Sequence, residues 1–168
     1  MLIWFAVLAP IIVAEIFRSP MVDYRLVAVG AVLPVAEAAI GGPRLSHTLL
    51  APVVVMTLVM AATIGRRLVR RRLLGVPIGM FLHLVLDATW ADRYLFWWPA
   101  FGASFQRDAL PELDRPLLVL VILEGLGLLA ARWAWRRYDL DRPSNRERLV
   151  TSGHLDRTVL DREGDRPG

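Results

Sequence analysis

The chain of 168 residues is 55% hydrophobic, carries a net charge of +4 and has a mean hydropathy of +0.45, with its apolar residues gathered in long blocks. These figures argue against an ordinary soluble domain and for an integral membrane protein built as one small bundle. Cysteine is absent, which excludes disulfides and thiolate chemistry and leaves histidine and carboxylates as the metal donors. All 20 basic residues are arginine, and they cluster beside apolar segments, a pattern read as positive-inside topology with no nucleic-acid partner.

In chain order, the first apolar segment covers residues 2–17 and contains Pro10. It has no basic region before it, so it reads as a membrane segment and not as a signal peptide. The second, residues 26–40, is entered through Asp23, Tyr24 and Arg25 and is weakened by Gly30 and Pro34. A loop over 41–44 leads to the third, 45–64, which opens with Ser46, His47 and Thr48, Ser46 being a suitable N-cap. Next comes an arginine-rich run over 65–72, the strongest topological signal in the chain. The fourth segment, 73–90, ends at Ala91, Asp92 and Arg93, with an aromatic stretch over 94–101. A polar loop over 102–115 precedes the fifth segment, 116–135, with Pro116 at a favourable first-turn position. The remainder alternates Asp, Glu and Arg and reads as a solvated tail.

Placing the arginine-rich loop inside sets the topology. The 18–25 turn, the 66–72 loop and everything from Arg132 onward then share the cytoplasmic side, and only Arg44, Arg93, Arg107 and Arg115 lie outside. The expected architecture is therefore an all-α polytopic membrane bundle of about five transmembrane helices over residues 1–138. Residues 139–168 form a charged, disordered cytoplasmic tail. The expected location is the cell membrane, multi-pass, with the lipid bilayer as partner.

His83 and Asp87 sit four residues apart inside the fourth apolar segment, a spacing that puts both on one helical face. At about 1.5 Å per residue, Asp87 lies roughly 5 Å and His83 roughly 10 Å from the outer end of that segment. His47 and Glu37 fall at the same end of their own segments, and Glu124 lies in the matching half of the fifth. No arginine is expected at that depth to neutralise the acids. Polar groups buried so deep must face one another or a wet cavity. Two histidines and an aspartate suit zinc or another divalent ion, and three protein ligands leave an open position for water. His47, His83 and Asp87 are the expected metal ligands, with Glu37 as the catalytic assistant, acting as general base or second shell. The blander reading makes His83–Asp87 a hydrogen-bonded packing pair, His47 an interfacial residue and Glu124 a cross-helix hydrogen bond. A proton relay through Glu124, His83 and Asp87 is a third reading.

The motifs add a resemblance. Residues 42–48 read G-P-R-L-S-H-T, residues 83–87 read H-L-V-L-D, and residues 97–99 read W-W-P. Over roughly residues 23–101 the chain resembles the bacterial inner-membrane proteins taken to be membrane-bound metal-dependent hydrolases, as a divergent actinobacterial-type member. Those proteins carry an early H-R-G-x-T-H-S motif and a later H-L-x-x-D followed by tryptophan-proline. The resemblance implies His47, His83 and Asp87 as metal ligands. The chain departs from the pattern at Gly42, where the first histidine would stand. It departs again at residues 34–37, where Glu37 replaces the last acid of a proline-aspartate-x-aspartate stretch. The expected function is a membrane-bound metal-dependent hydrolase acting on a lipid-like or amphipathic substrate. The alternative is a non-catalytic membrane protein whose polar cluster serves packing or partner docking.

Overall fold

A computed structural model describes residues 1–39, 45–101 and 115–161 of the chain. Its helices are α1 (Leu2–Phe17), α2 (Tyr24–Ala39), α3 (Leu50–Ala62), α4 (Arg67–Leu73), α5 (Gly75–Leu86), α6 (Arg93–Phe96), α7 (Leu117–Arg137), α8 (Pro143–Ser152) and α9 (Arg157–Leu160). Short 3-10 turns at Leu45–His47 and Thr89–Ala91 precede α3 and α6. The fold is all-α among the described residues.

The frame is the pair α2 and α5, the most extensive helix contact among the described residues. The two run in the same direction, because Gly75 lies against Asp23 and Val27, Gly79 against Val27 and Ala31, and His83 against Ala31. On α5 these contacts recur every four residues, so one stripe of the helix makes the seam. Glycine is required there: a Cβ on Gly79 would stand 2.7 Å from the Ala31 nitrogen and closer still to the Val27 carbonyl oxygen. Without Cβ atoms the two backbones close to a distance at which a histidine one turn on can reach a main-chain carbonyl. Helix α1 lies across α2 and α7, burying Phe5, Ala9, Val13 and Ala14, and α3 packs on α5.

Residues 138–161 fold back on this core. Their few apolar side chains do the work: Tyr138, Leu140, Leu155, Val159 and Leu160 are buried with Phe5, Ala9, Val27 and Ala31. Asp23 anchors the return. Its carboxylate is paired with Arg25, which also donates to the Val150 and Thr151 carbonyls. The Tyr24 N–H donates to the Gly153 carbonyl. Gly153 has a left-handed φ of 77°, and a side chain there would collide with the Asp23 carboxylate. The stretch expected to be a solvated tail is thus helical over 143–152 and 157–160. A minority of apolar residues suffices when the rest of the surface is charged.

The expected five-span bundle is corrected by helix length. Helices α1 and α2 have 16 residues each, α3 has 13 and α5 has 12. At about 1.5 Å per residue they are about 24, 24, 20 and 18 Å long, against about 30 Å of hydrocarbon core. Apolar run and helix are not the same object here. The third run begins with a 3-10 turn, and the fourth is divided at Leu74 and stopped at Asp87 by a left-handed Ala88. Among the described residues one helix, α7, is long and apolar enough to cross a membrane. A multi-pass topology, a cell-membrane location with a cytoplasmic tail and the bilayer as partner all rested on five such helices, and they fall with them. The loop over 41–44, the charged loop over 102–114 and the end of the chain from 162 lie outside the described residues.

Candidate metal centre

His83 and Asp87 come from the seam stripe of α5, one turn apart. His83 is the last in-register residue of that stripe, and its Nδ1 lies 2.8 Å from the Ala31 carbonyl oxygen. A carbonyl only accepts, so Nδ1 carries the proton and donates, which makes Nε2 the basic nitrogen of the neutral ring. Phe5 of α1 packs against the imidazole, ring centroids 4.1 Å apart. The ring is fully buried.

Asp87 is the C-terminal cap of α5 and is 1% exposed. Thr89 donates its hydroxyl to Oδ2 at 3.0 Å. Arg115, immediately before α7, places Nη2 3.0 Å from Oδ1 and 2.6 Å from the Asp87 main-chain carbonyl. The carboxylate is therefore held from two sides, and its negative charge is met by a guanidinium that is 22% exposed.

His47 arrives from a different part of the chain, on the Leu45–His47 turn, and is fully buried. Glu37, near the end of α2, holds that turn. Its Oε1 accepts from the Leu45 N–H at 3.1 Å and its Oε2 from the Ser46 N–H at 2.9 Å, with the Ser46 hydroxyl also bonded to Oε2. On the far side, the Leu49 N–H donates to the Phe96 carbonyl at 2.8 Å. The turn is pinned at both ends, and it sets the His47 ring edge-on to His83 with centroids 5.4 Å apart.

The result is a buried cluster in which one donor atom each from His47, His83 and Asp87 lies within 4.8 Å of the others. Three ligands of a tetrahedral ion at about 2.0–2.1 Å stand about 3.4 Å apart. Closing the cluster onto an ion takes side-chain shifts on the order of 1 Å. Two imidazoles and a carboxylate, with no thiolate, suit a divalent ion such as zinc.

The sequence placed these three residues together, and the structure brings them together. Glu37 is placed one residue from His47 through the turn backbone. Glu124 is placed elsewhere, at the start of α1: it accepts from the Ile3 and Trp4 N–H groups and lies 3.0 Å from the Met1 amino group. Burial works to raise its pKa, but that ammonium and the backbone donors outweigh it and hold the carboxyl below its ordinary value. An ionised helix cap is a poor member of a proton relay. The absence of arginine near the acids is also corrected, since Arg115 pairs with Asp87. Arg115 and Thr89 were missed because neither stands on an α-helix, so no α-helical spacing predicts its neighbour.

Fold and site together define an all-helical protein with a buried His–His–Asp cluster of metal-binding composition. Comparison of the chain with protein-family models, with curated proteins and with solved structures found no match. The resemblance to membrane-bound metal-dependent hydrolases is therefore corrected as well. It rested on short motifs within a five-span topology, and neither a family match nor that topology accompanies them. The Gly42 position of that resemblance lies outside the described residues.

Proposed function

We propose that the chain is a metal-binding protein in which His47, His83 and Asp87 hold one divalent cation, zinc by donor chemistry, for hydrolytic use. The observation that carries this reading is the convergence of the three donor atoms within 4.8 Å. The oriented tautomer of His83 supports it, because a metal-binding imidazole needs its other nitrogen tied to an acceptor. A divalent ion bound by three protein ligands lowers the pKa of a bound water and supplies a nucleophile near neutral pH. Glu37 enters as the positioning residue that fixes the His47 turn, Thr89 and Arg115 as the groups that aim Asp87. Arg115 adds a cation at the rim, which favours a substrate or leaving group with negative charge.

A second reading has its own support. Arg115 and Thr89 already satisfy the Asp87 carboxylate, so the cluster can serve packing without an ion. Elemental analysis of untagged protein separates the two. The metal reading expects about one equivalent of a divalent transition metal in the wild type, absent from His83→Ala and Asp87→Ala. It expects Glu37→Gln to keep the metal with affinity about tenfold weaker, the effect of losing an outer-shell contact. Folded wild-type protein that stays metal-free after reconstitution with zinc, manganese and cobalt overturns it in favour of packing. A screen of ester and phosphoester substrates with the loaded protein then tests hydrolysis.

A further inference from the structure

A second feature stands apart from the metal centre. Between α1, α2, α7 and the returning 138–161 stretch lies a half-open cavity of about 230 Å³. Its walls include Val7 and Ile11 of α1, Ala28 of α2, Ala134 of α7, and Leu149 and Leu155 of the returning stretch.

Three polar side chains reach the lining, and each has its polar end committed elsewhere. The Tyr24 hydroxyl donates to the Ser19 carbonyl at 2.8 Å, and the Tyr138 hydroxyl to Glu15 at 3.0 Å. Burial and the nearby acid raise the Tyr138 pKa, and burial pushes Tyr24 up to about 12, so both stay neutral. The Arg25 guanidinium gives four of its five N–H groups to both Asp23 oxygens and to the Val150 and Thr151 carbonyls. The cavity therefore presents chiefly aromatic faces, methyl groups and an arginine stem, and the Arg25 charge is already met by the Asp23 carboxylate.

Water gains little in such a space, because an ordered water needs two to four polar partners. An apolar cavity of about 150 Å³ takes up benzene or xenon. Scaled to this volume, the occupant has roughly nine carbon atoms. We infer that the cavity is a binding site for one small uncharged hydrocarbon-like or aromatic molecule of that size. Its occupancy would also tighten the returning stretch, since Tyr138, Leu140, Leu149 and Leu155 form one wall.

The test uses the full chain and two matched probes, propylbenzene and 3-phenylpropanoate, which have the same carbon count but differ by a carboxylate. Propylbenzene near saturation is expected to raise Tm by about 5 °C and to slow amide exchange over residues 143–160. The carboxylate is expected to do neither. Ala134→Phe, which fills the space from α7, and Ala28→Leu, which fills it from α2, are each expected to abolish the shift. No Tm or exchange response to propylbenzene overturns the proposal. So does an equal response to the carboxylate, or a response that survives in whichever filled variant folds. Metal content is not read in this experiment, so its outcome is independent of the metal reading.

Discussion

Asp23 and Asp87 are both buried, both paired with an arginine, and stand toward opposite ends of the same α2–α5 seam. What surrounds them differs. Asp23 shares its oxygens with Arg25, the Arg25 N–H and, at 3.9 Å, Arg72. Every neighbour is a donor, and the set closes the fold by tying residues 150–153 to α2. Asp87 shares its oxygens with Thr89 and Arg115 but also faces two imidazoles, one of them oriented by its Nδ1 contact with the Ala31 carbonyl. A buried carboxylate among donors is an anchor. A buried carboxylate beside two imidazoles has the composition of a metal site. Burial alone does not tell the two apart; the chemistry of the neighbours does.

The largest expected effect attacks the seam that both share. Gly79→Ala puts a methyl group into the Val27 carbonyl and the Ala31 nitrogen, and backbone cannot rotate away as a side chain can. Overpacking of this kind should destabilise by about 3 kcal/mol and pull His83 from Ala31, lowering metal affinity. Gly125→Ala in α7 is the control. Nothing lies within 4 Å of its Cβ position, so the helix should gain about 0.5–1 kcal/mol. Equal Tm values for the two variants would show that the seam tolerates separation.

The seam is also where sequence reading stopped short. The spacing of His83 and Asp87 revealed one helical face, yet the same period continues backward through Gly79 and Gly75. Extending that stripe would have shown two candidate metal donors and a close helix contact on a single line. Hydropathy misled for a related reason. It adds apolar residues without seeing where Leu74, Asp87 and Ala88 cut the run into helices too short to span. Arg115 lay beyond reach because its contact with Asp87 crosses 28 residues of chain. Asp23 read as a mere entrance to a helix, since its partners at 150–153 are brought to it by the fold alone.

A smaller effect should separate the two aspartates. Burial works to raise the Asp23 pKa, but Arg25 and the backbone donors outweigh it and hold the carboxyl below its ordinary value. The unfolded chain therefore binds this proton more readily than the folded one. The stability from Asp23 is complete above about pH 4 and is lost as pH falls through the lower folded value. Asp23→Ala should cost about 2 kcal/mol at pH 7, as a lost helix cap plus its ion pair, and should flatten the acid limb of the stability profile. Urea titrations between pH 2 and pH 7 would check both (the range follows from the ordinary aspartate value of about 4). Metal content should not change. A variant that lost its metal on Asp23→Ala would show that the anchor and the ligand set are one cooperative unit.

The smallest effect concerns the turn that ends the α5 stripe. Ala88 follows Asp87 in the left-handed region, with φ 58°, a conformation that strains a residue bearing a Cβ by about 1–2 kcal/mol. The turn is nonetheless regular. The Asp87 N–H donates to the His83 carbonyl at 2.8 Å, and the Ala88 carbonyl accepts from Ala91 at 2.9 Å. Ala88→Gly removes the strain while giving the unfolded chain more freedom, so a net gain of about 0.5–1 kcal/mol is expected, a rise in Tm of roughly 2 °C. Metal affinity should stay constant, because Thr89 and Arg115 hold the Asp87 carboxylate independently of the backbone strain. A more stable variant that binds metal less tightly would reverse that assignment. The strained turn, and not its side-chain partners, would then be what aims the Asp87 carboxylate.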